Sequence, residues 1–151
     1  MKFKLKGVGM KAITLWQPWA SLMAHGLKKN DTRHWRTSYR GPLLIHAAKK
    51  VIGWPSIDIQ CAFDDEVAFN PCDLPLGKIL CQVDLIECEK IRWNTKIGYP
   101  ESEFGDYTIG RYVWRTENLL TFDEPILFKG SQGFFNVPDD LLFLTLKGGK
   151  K

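Results

Sequence analysis

The sequence predicts an α+β fold, a small β-barrel accompanied by short helices, and three observations carry that reading. Short apolar or alternating runs recur between turn signals rich in Gly and Pro, the spacing of small barrels. One strong helical pattern stands near the start, and it is brief. The length of 151 residues suits a single domain over 1–151 with one core, and 44% hydrophobic against 25% charged residues is an ordinary folded composition that argues against disorder.

The elements follow in order. "KAITLW" alternates weakly and reads as a strand. In "QPWASLMAHG" Gln17 caps a helix that Pro18 opens, Trp19, Leu22 and Met23 recur at helical spacing, and Gly26 stops it after about two turns. "DTRHWRT" is extended, "SYRG" turns the chain, and Pro42 opens a strand in "PLLIHAA". A helix is expected after Pro55 in "WPSIDIQCAFDDEVAF", followed by the loop "NPCDLPLG". "KILCQVDLIEC" is the clearest strand, central in the barrel, with Ile79, Cys81, Val83 and Leu85 inward and Gln82 and Asp84 outward. "NTKIGYPESEFGDYTIG" reads as a long surface loop, "RYVWRTENLLTF" as a strand that Pro125 interrupts, and "KGSQGFFNV" as a turn feeding another strand. "LLFLTLKGGKK" is expected to be a final strand, pairing with "KFKLK".

Several classes of protein are disfavoured at once. No apolar run approaches the ~20 residues of a membrane helix, so no membrane partner is expected. The basic N-terminus lacks the apolar core of a secretory signal, which predicts a cytoplasmic protein. Cys61, Cys72, Cys81 and Cys88 contain no C-x-x-C pair, and His25, His34 and His46 no H-x-x-x-H pair. No metal site and no cofactor are therefore expected, and the thiols read as reduced. His46, inside an apolar run, reads as a hydrogen-bonded interior histidine.

Charge is concentrated. Residues 26–50 hold seven Lys/Arg and one acid, a net +6, whereas residues 51–146 hold seven bases and sixteen acids, a net −9. Within the basic stretch, "GLKKNDTRHWRTSYRG" interleaves Lys28, Lys29, Arg33, Arg36 and Arg40 with Trp35 and Tyr39. Cations beside flat aromatic rings suit a polyanion with unpaired bases: the former meet phosphates and the latter stack. One contiguous positive patch is expected to hold Lys28, Lys29, Arg36 and Arg40.

The stretch "ITLWQPWASLMAHGLKKNDTRHWRTSYRGPLLIHAAK" resembles the ASCH domain family. That family carries a signature G-x-K-x-x-E-x-R, which here reads Gly26, Lys28, Asp31 and Arg33, with Asp in place of Glu. "EFGDYTIGRYVW" and "KGSQGFF" resemble its later segments, so the likeness covers about residues 11 to 138. The resemblance implies a PUA-like β-barrel with helices over its openings and a cleft for RNA or a nucleotide lined by the signature loop. Small bacterial relatives hydrolyse the acetyl amide of acetylcytidine and carry threonine at the acidic position; others are ribonucleases, and eukaryotic ones are modules of transcription coactivators.

Two function classes follow. As a binding module for single-stranded RNA or a nucleotide, the chain would use Lys28, Arg33, Trp35, Arg36, Tyr39, Arg40, Arg111, Lys129 and Ser131, the last two on glycine-flanked backbone that can approach a phosphate. As a hydrolase on RNA or a modified nucleoside, it would use Lys28, Asp31 and Glu103, the last a carboxylate able to serve as general acid or base. Asp31 near Lys28 is expected to hold the ammonium charged, which favours binding over base catalysis. Thr32, the adjacent hydroxyl, is expected on the opposite face of an extended chain.

Overall fold

The structure, a computed structural model, describes residues 9–51 and 73–142. Its elements are β1 (Met10–Gln17), α1 (Trp19–Ala24), β2 (Asn30–Arg33), β3 (Gly41–Val51), β4 (Lys78–Lys90), a 3-10 turn at Glu101–Glu103, β5 (Tyr112–Leu127) and β6 (Phe135–Val137). They form one six-stranded sheet in the order β2-β5-β4-β3-β1-β6. β1 and β3 run parallel, joined by the crossover that contains α1 and β2, and every other ladder is antiparallel.

The expected closed barrel is not what these strands form. β2 and β6 lie at opposite edges of an open sheet and are not paired with each other. The mostly-sheet architecture with short helices is as expected. β4 takes its central place, but its face does not alternate unbroken. The register slips between Ile79 and Cys81, so Ile79 packs with Ala12, Leu44, Phe122 and Ile126 while Cys81, Val83 and Leu85 pack with Ile13, Ile45 and Trp114. All four are buried, on two faces rather than one.

The helix follows its sequence signals. Gln17, fully buried, accepts the Ser21 N–H through Oε1 at 3.0 Å and donates through Nε2 to Ser21 Oγ at 2.7 Å and the Pro75 carbonyl at 2.8 Å. It thus serves a free donor of the first turn, while Pro18 occupies the capping position. Gly26, at φ +78°, reverses the chain, and the Lys28 amide donates back to the Leu22 carbonyl.

Three other expectations change. Pro125 does not end a strand: β5 passes through it, because residues 122–125 bulge past the ladder with β4 and lose no bond there. The loop between β4 and β5 is not wholly superficial, since Phe104 is 1% exposed and packs on Leu22 against Trp19 and Leu27. Leu141 and Leu142 belong to a helical turn over 139–142, which Pro138 and two aspartates introduce, and not to a strand. The remainder of that segment, "KFKLK" and the helix expected after Pro55 lie outside the described residues. No described helix is long and apolar enough to cross a membrane.

Candidate functional site

A cleft of about 1430 Å³ opens beside β1, β2 and β3 and the start of α1. β1 contributes Thr14, Leu15 and Trp16 to its wall, α1 contributes Trp19, and the signature stretch contributes Lys28, Asp31, Thr32, Arg33, His34 and Trp35. β3 adds His46, Ala48 and Lys49; Glu103–Asp106 and Arg111 close one side, and Lys129–Phe134 the other. Five cations face three carboxylates in this lining, so the cleft is net positive.

Lys28 sits at its base. The turn after α1 carries its side chain inward, where it is 3% exposed, lies 5.6 Å from the centre of the Trp19 ring and donates to the Phe104 carbonyl. Burial pushes its pKa below the ordinary lysine value; Asp31 and Glu101 oppose that shift and Arg33 adds to it. The expected Lys28–Asp31 clasp is not formed. Asp31 instead pairs with Arg33, Oδ2 to Nε at 2.7 Å, because residues two apart share one face of a strand. Asp31 thus acts on Lys28 only at a distance, and desolvation dominates.

Arg33 is held on three sides. Besides Asp31, its Nη2 donates to the Thr14 carbonyl at 2.9 Å and the guanidinium lies 5.7 Å from the Trp114 ring centre. Thr32, expected to face away, lines the cleft and accepts the Asp106 N–H at 3.2 Å. Glu101 fastens the facing loop, accepting the backbone N–H groups of Lys29 and Asn30, while Glu103 lines the cleft. Arg111 braces the same loop through the Asp106 carbonyl at 3.1 Å and the Thr32 carbonyl at 3.3 Å.

The remaining site residues divide. Trp35 lines the cleft with its ring set edge-on against Trp114 at 4.7 Å and Phe134 at 5.5 Å, so it is partly a packing residue. Lys129 and Ser131 also line it. Arg36, Tyr39, Arg40 and Lys29 do not. Tyr39 packs on Phe134 and donates its hydroxyl to the Pro42 carbonyl, and Arg40 donates to the carbonyls of Thr37 and Tyr39. Lys28 is buried and so is not part of one exposed patch with Lys29, Arg36 and Arg40, which are all exposed.

His46 is the interior histidine expected, at the cleft wall. Its Nε2 lies 2.7 Å from the Phe128 carbonyl and so carries the proton, leaving Nδ1 to accept from the Thr14 hydroxyl at 3.0 Å; burial lowers its pKa. Gly130 rests directly on this pair: a Cβ there would stand 2.5 Å from His46 Cε1 and 2.7 Å from Thr14 Oγ1. The glycine serves a close approach to the histidine. Sequence reasoning missed Phe104, whose carbonyl receives Lys28, and Phe134, on which Trp35, Tyr39 and Trp114 converge. Their signal was an apolar residue recurring inside each polar loop, "SEFG" and "QGFF". Among the described residues no group of His, Cys, Asp and Glu is placed to hold a metal ion.

Over 81 residues, half of this chain, the sequence is 40% identical to human and 37% identical to mouse activating signal cointegrator 1. The matched stretch is only 14% of the length of those proteins. The fold is similar to a crystal structure of ASCH from Zymomonas mobilis, with TM-score 0.55 and 13% identity over 93% of this chain and 94% of that one. A Tyr-to-Phe mutant of that bacterial protein matches at TM-score 0.54 and 12% identity, over 92% and 97% of the two chains. The sequence pattern that defines the ASCH domain matches residues 13–125, and the chain belongs to the ASCH domain family.

Proposed function

We propose that this chain is a cytoplasmic binding module that takes single-stranded RNA, or a nucleotide, into the cleft above Lys28. The observation that supports this most is the convergence of Lys28, Arg33, Lys49, Arg111 and Lys129 with Trp16, Trp19 and Trp35 on one concave surface. Cations alone would suit any polyanion; cations beside indole rings suit one whose bases are unpaired. The cleft also exceeds the ~300–1,000 Å³ of small-molecule pockets, which favours a segment of polymer. Titrating a labelled single strand at several salt concentrations tests the proposal. Log affinity should fall against log salt with a slope of about −0.7 per phosphate contact, and duplex should compete poorly. A salt-independent isotherm, or equal competition by duplex, would refute it.

One observation favours a second reading, a hydrolase on RNA or an acylated nucleoside. A lysine whose pKa is lowered by burial has an amine fraction able to take a proton, and Glu103 lines the same cleft as a candidate acid. Release of acetate from acetylcytidine, or strand cleavage, that is lost in Lys28→Arg while strand binding persists would establish it.

A further inference from the structure

A second surface carries the same chemistry outside the cleft. Residues 90–100, "KIRWNTKIGYP", hold Lys90, Arg92 and Lys96 and no acid. Trp93 in their midst is 86% exposed and Tyr99 is 73% exposed. The carboxylates at either end are engaged elsewhere: Glu89 pairs with Arg115, and Glu101 accepts the amides of Lys29 and Asn30. The three cations form no ion pair among the described residues.

The display is built and not a frayed loop. Ile91 is buried and clamped, its amide donating to the Arg111 carbonyl at 2.8 Å and its carbonyl accepting the Gly110 amide at 2.9 Å. The next residues close a tight turn, with Thr95 N–H donating to the Arg92 carbonyl at 3.0 Å and the Arg92 N–H donating to Thr95 Oγ1 at 2.8 Å. Trp93 stands at the tip of that turn, with no ring contact to a described residue. A fully displayed indole gains nothing for the monomer, and a rigid turn pre-organises it for a partner at little entropic cost.

We infer that the Lys90–Tyr99 turn is a second nucleic-acid contact, on which a single strand leaving the cleft stacks a base against Trp93 and lays phosphates along Arg92 and Lys96. The inference rests on the binding function proposed above and extends its path. Continuity favours a strand over other acidic partners, because the turn is bonded through Ile91 to Arg111, which itself lines the cleft. A strand that exits past Arg111 meets the exposed ring next.

The test uses the full chain, a labelled dinucleotide, and a labelled strand of about twelve nucleotides, within the ~4–16 that one single-strand-binding fold covers. Trp93→Ala should weaken the longer strand roughly 5- to 150-fold, the worth of one stacked base, and leave the dinucleotide unchanged. Joint replacement of Arg92 and Lys96 by Ala should flatten the salt slope of the longer strand by about 0.7 per lost contact. Thermal melting identical to wild type would confirm that these exposed changes leave the fold intact. If wild type binds both strands and Trp93→Ala binds the longer one equally well, the inference falls while the cleft reading stands. If wild type binds neither, both fall. Loss of binding to vesicles of phosphatidylserine and phosphatidylcholine in Trp93→Ala, with strand affinity unchanged, would overturn the inference in favour of a membrane surface.

Discussion

Gly130→Ala is a single-methyl change whose cost can be read from distances. The new Cβ would lie 2.5 Å from His46 Cε1, 2.6 Å from His46 Nδ1 and 2.7 Å from Thr14 Oγ1. Carbon pairs settle at ~3.5–4.0 Å, so the contacts are short by roughly 1 Å. The imidazole cannot yield easily, because it is tied to the Phe128 carbonyl and the Thr14 hydroxyl and packs edge-on against Phe135 at 5.7 Å. The strap from Lys129 to Phe134 must therefore lift. Overpacking of this kind costs ~1–3 kcal/mol, which for a chain of this size lowers Tm by ~2–12 °C. Lifting the strap also moves Lys129 and Ser131 off the cleft wall, so strand affinity should fall with stability. Differential scanning calorimetry on wild type, Gly130→Ala, His46→Ala and the double variant decides the cause. Removing the ring makes room for the methyl, so the two changes should couple by ~0.5–3 kcal/mol. An unchanged Tm in Gly130→Ala, or strict additivity in the double variant, would show that the clash is not what sets the cost.

Val83→Asp should cost several kcal/mol and abolish cooperative melting, because Val83 lies fully buried among Leu43, Ile45 and Trp114; a soluble variant with an ordinary melt would contradict the placement of β4. Lys28→Met should melt higher relative to wild type at neutral pH than at high pH. The folded-state pKa of Lys28 lies below its unfolded value of 10.5, so the unfolded chain binds the extra proton between the two and wild-type stability rises with pH across that window. Parallel pH profiles for the two proteins would refute this. Cys81, with its thiol pushed up to about 12 by burial, should resist a thiolate-selective reagent near neutral pH until the protein unfolds, as followed by mass spectrometry of the labelled peptide.

How much of this was legible depended on whether the determinant was local. The helix was readable because proline, apolar spacing and glycine all act within ten residues; Gln17, expected as its cap, stands one residue before the capping Pro18 and accepts the Ser21 amide. β4 was readable as a central strand, but the slip at Leu80 depends on where β5 bulges, some forty residues on. Pro125 misled for the same reason: a proline breaks a strand only where its amide is needed, and that depends on the partner. Closure of the sheet depends on whether its two edge strands, far apart in sequence, come together, and no local propensity reveals that. In the site, the signature spacing announced Lys28 and Arg33 and their shared segment. It could not say which of them Asp31 would hold, since strand geometry puts Arg33 on the same face while the turn after Gly26 buries Lys28 elsewhere. Trp93 passed unnoticed because exposure, and not identity, sets it apart from the packed tryptophans.

The arrangement of cations leads to a last prediction, that arginines and lysines have different work here. Three arginines in or beside the cleft brace the fold: Arg33 holds the Thr14 carbonyl and the Asp31 carboxylate, Arg111 the carbonyls of Thr32 and Asp106, and Arg40 those of Thr37 and Tyr39. A planar fork with five donors suits that bridging, and its donors are partly spent before any ligand arrives. Lys129 lines the cleft exposed, with no hydrogen bond or ion pair to a described residue, and its charge is free for a phosphate. Lys129→Ala should therefore leave unfolding stability within ~0.5 kcal/mol of wild type while flattening the salt slope by about 0.7. Arg33→Ala should do something different. It strands Asp31, whose side chain is 12% exposed, and frees the Thr14 carbonyl, at a cost of ~1–3 kcal/mol to folding. Any affinity it loses should come mainly from the loosened wall and leave the salt slope nearly intact. Chemical denaturation and salt-titrated binding on the two variants separate these outcomes. If Arg33→Ala flattens the slope as fully as Lys129→Ala and melts like wild type, Arg33 is a phosphate ligand and the bracketing account fails.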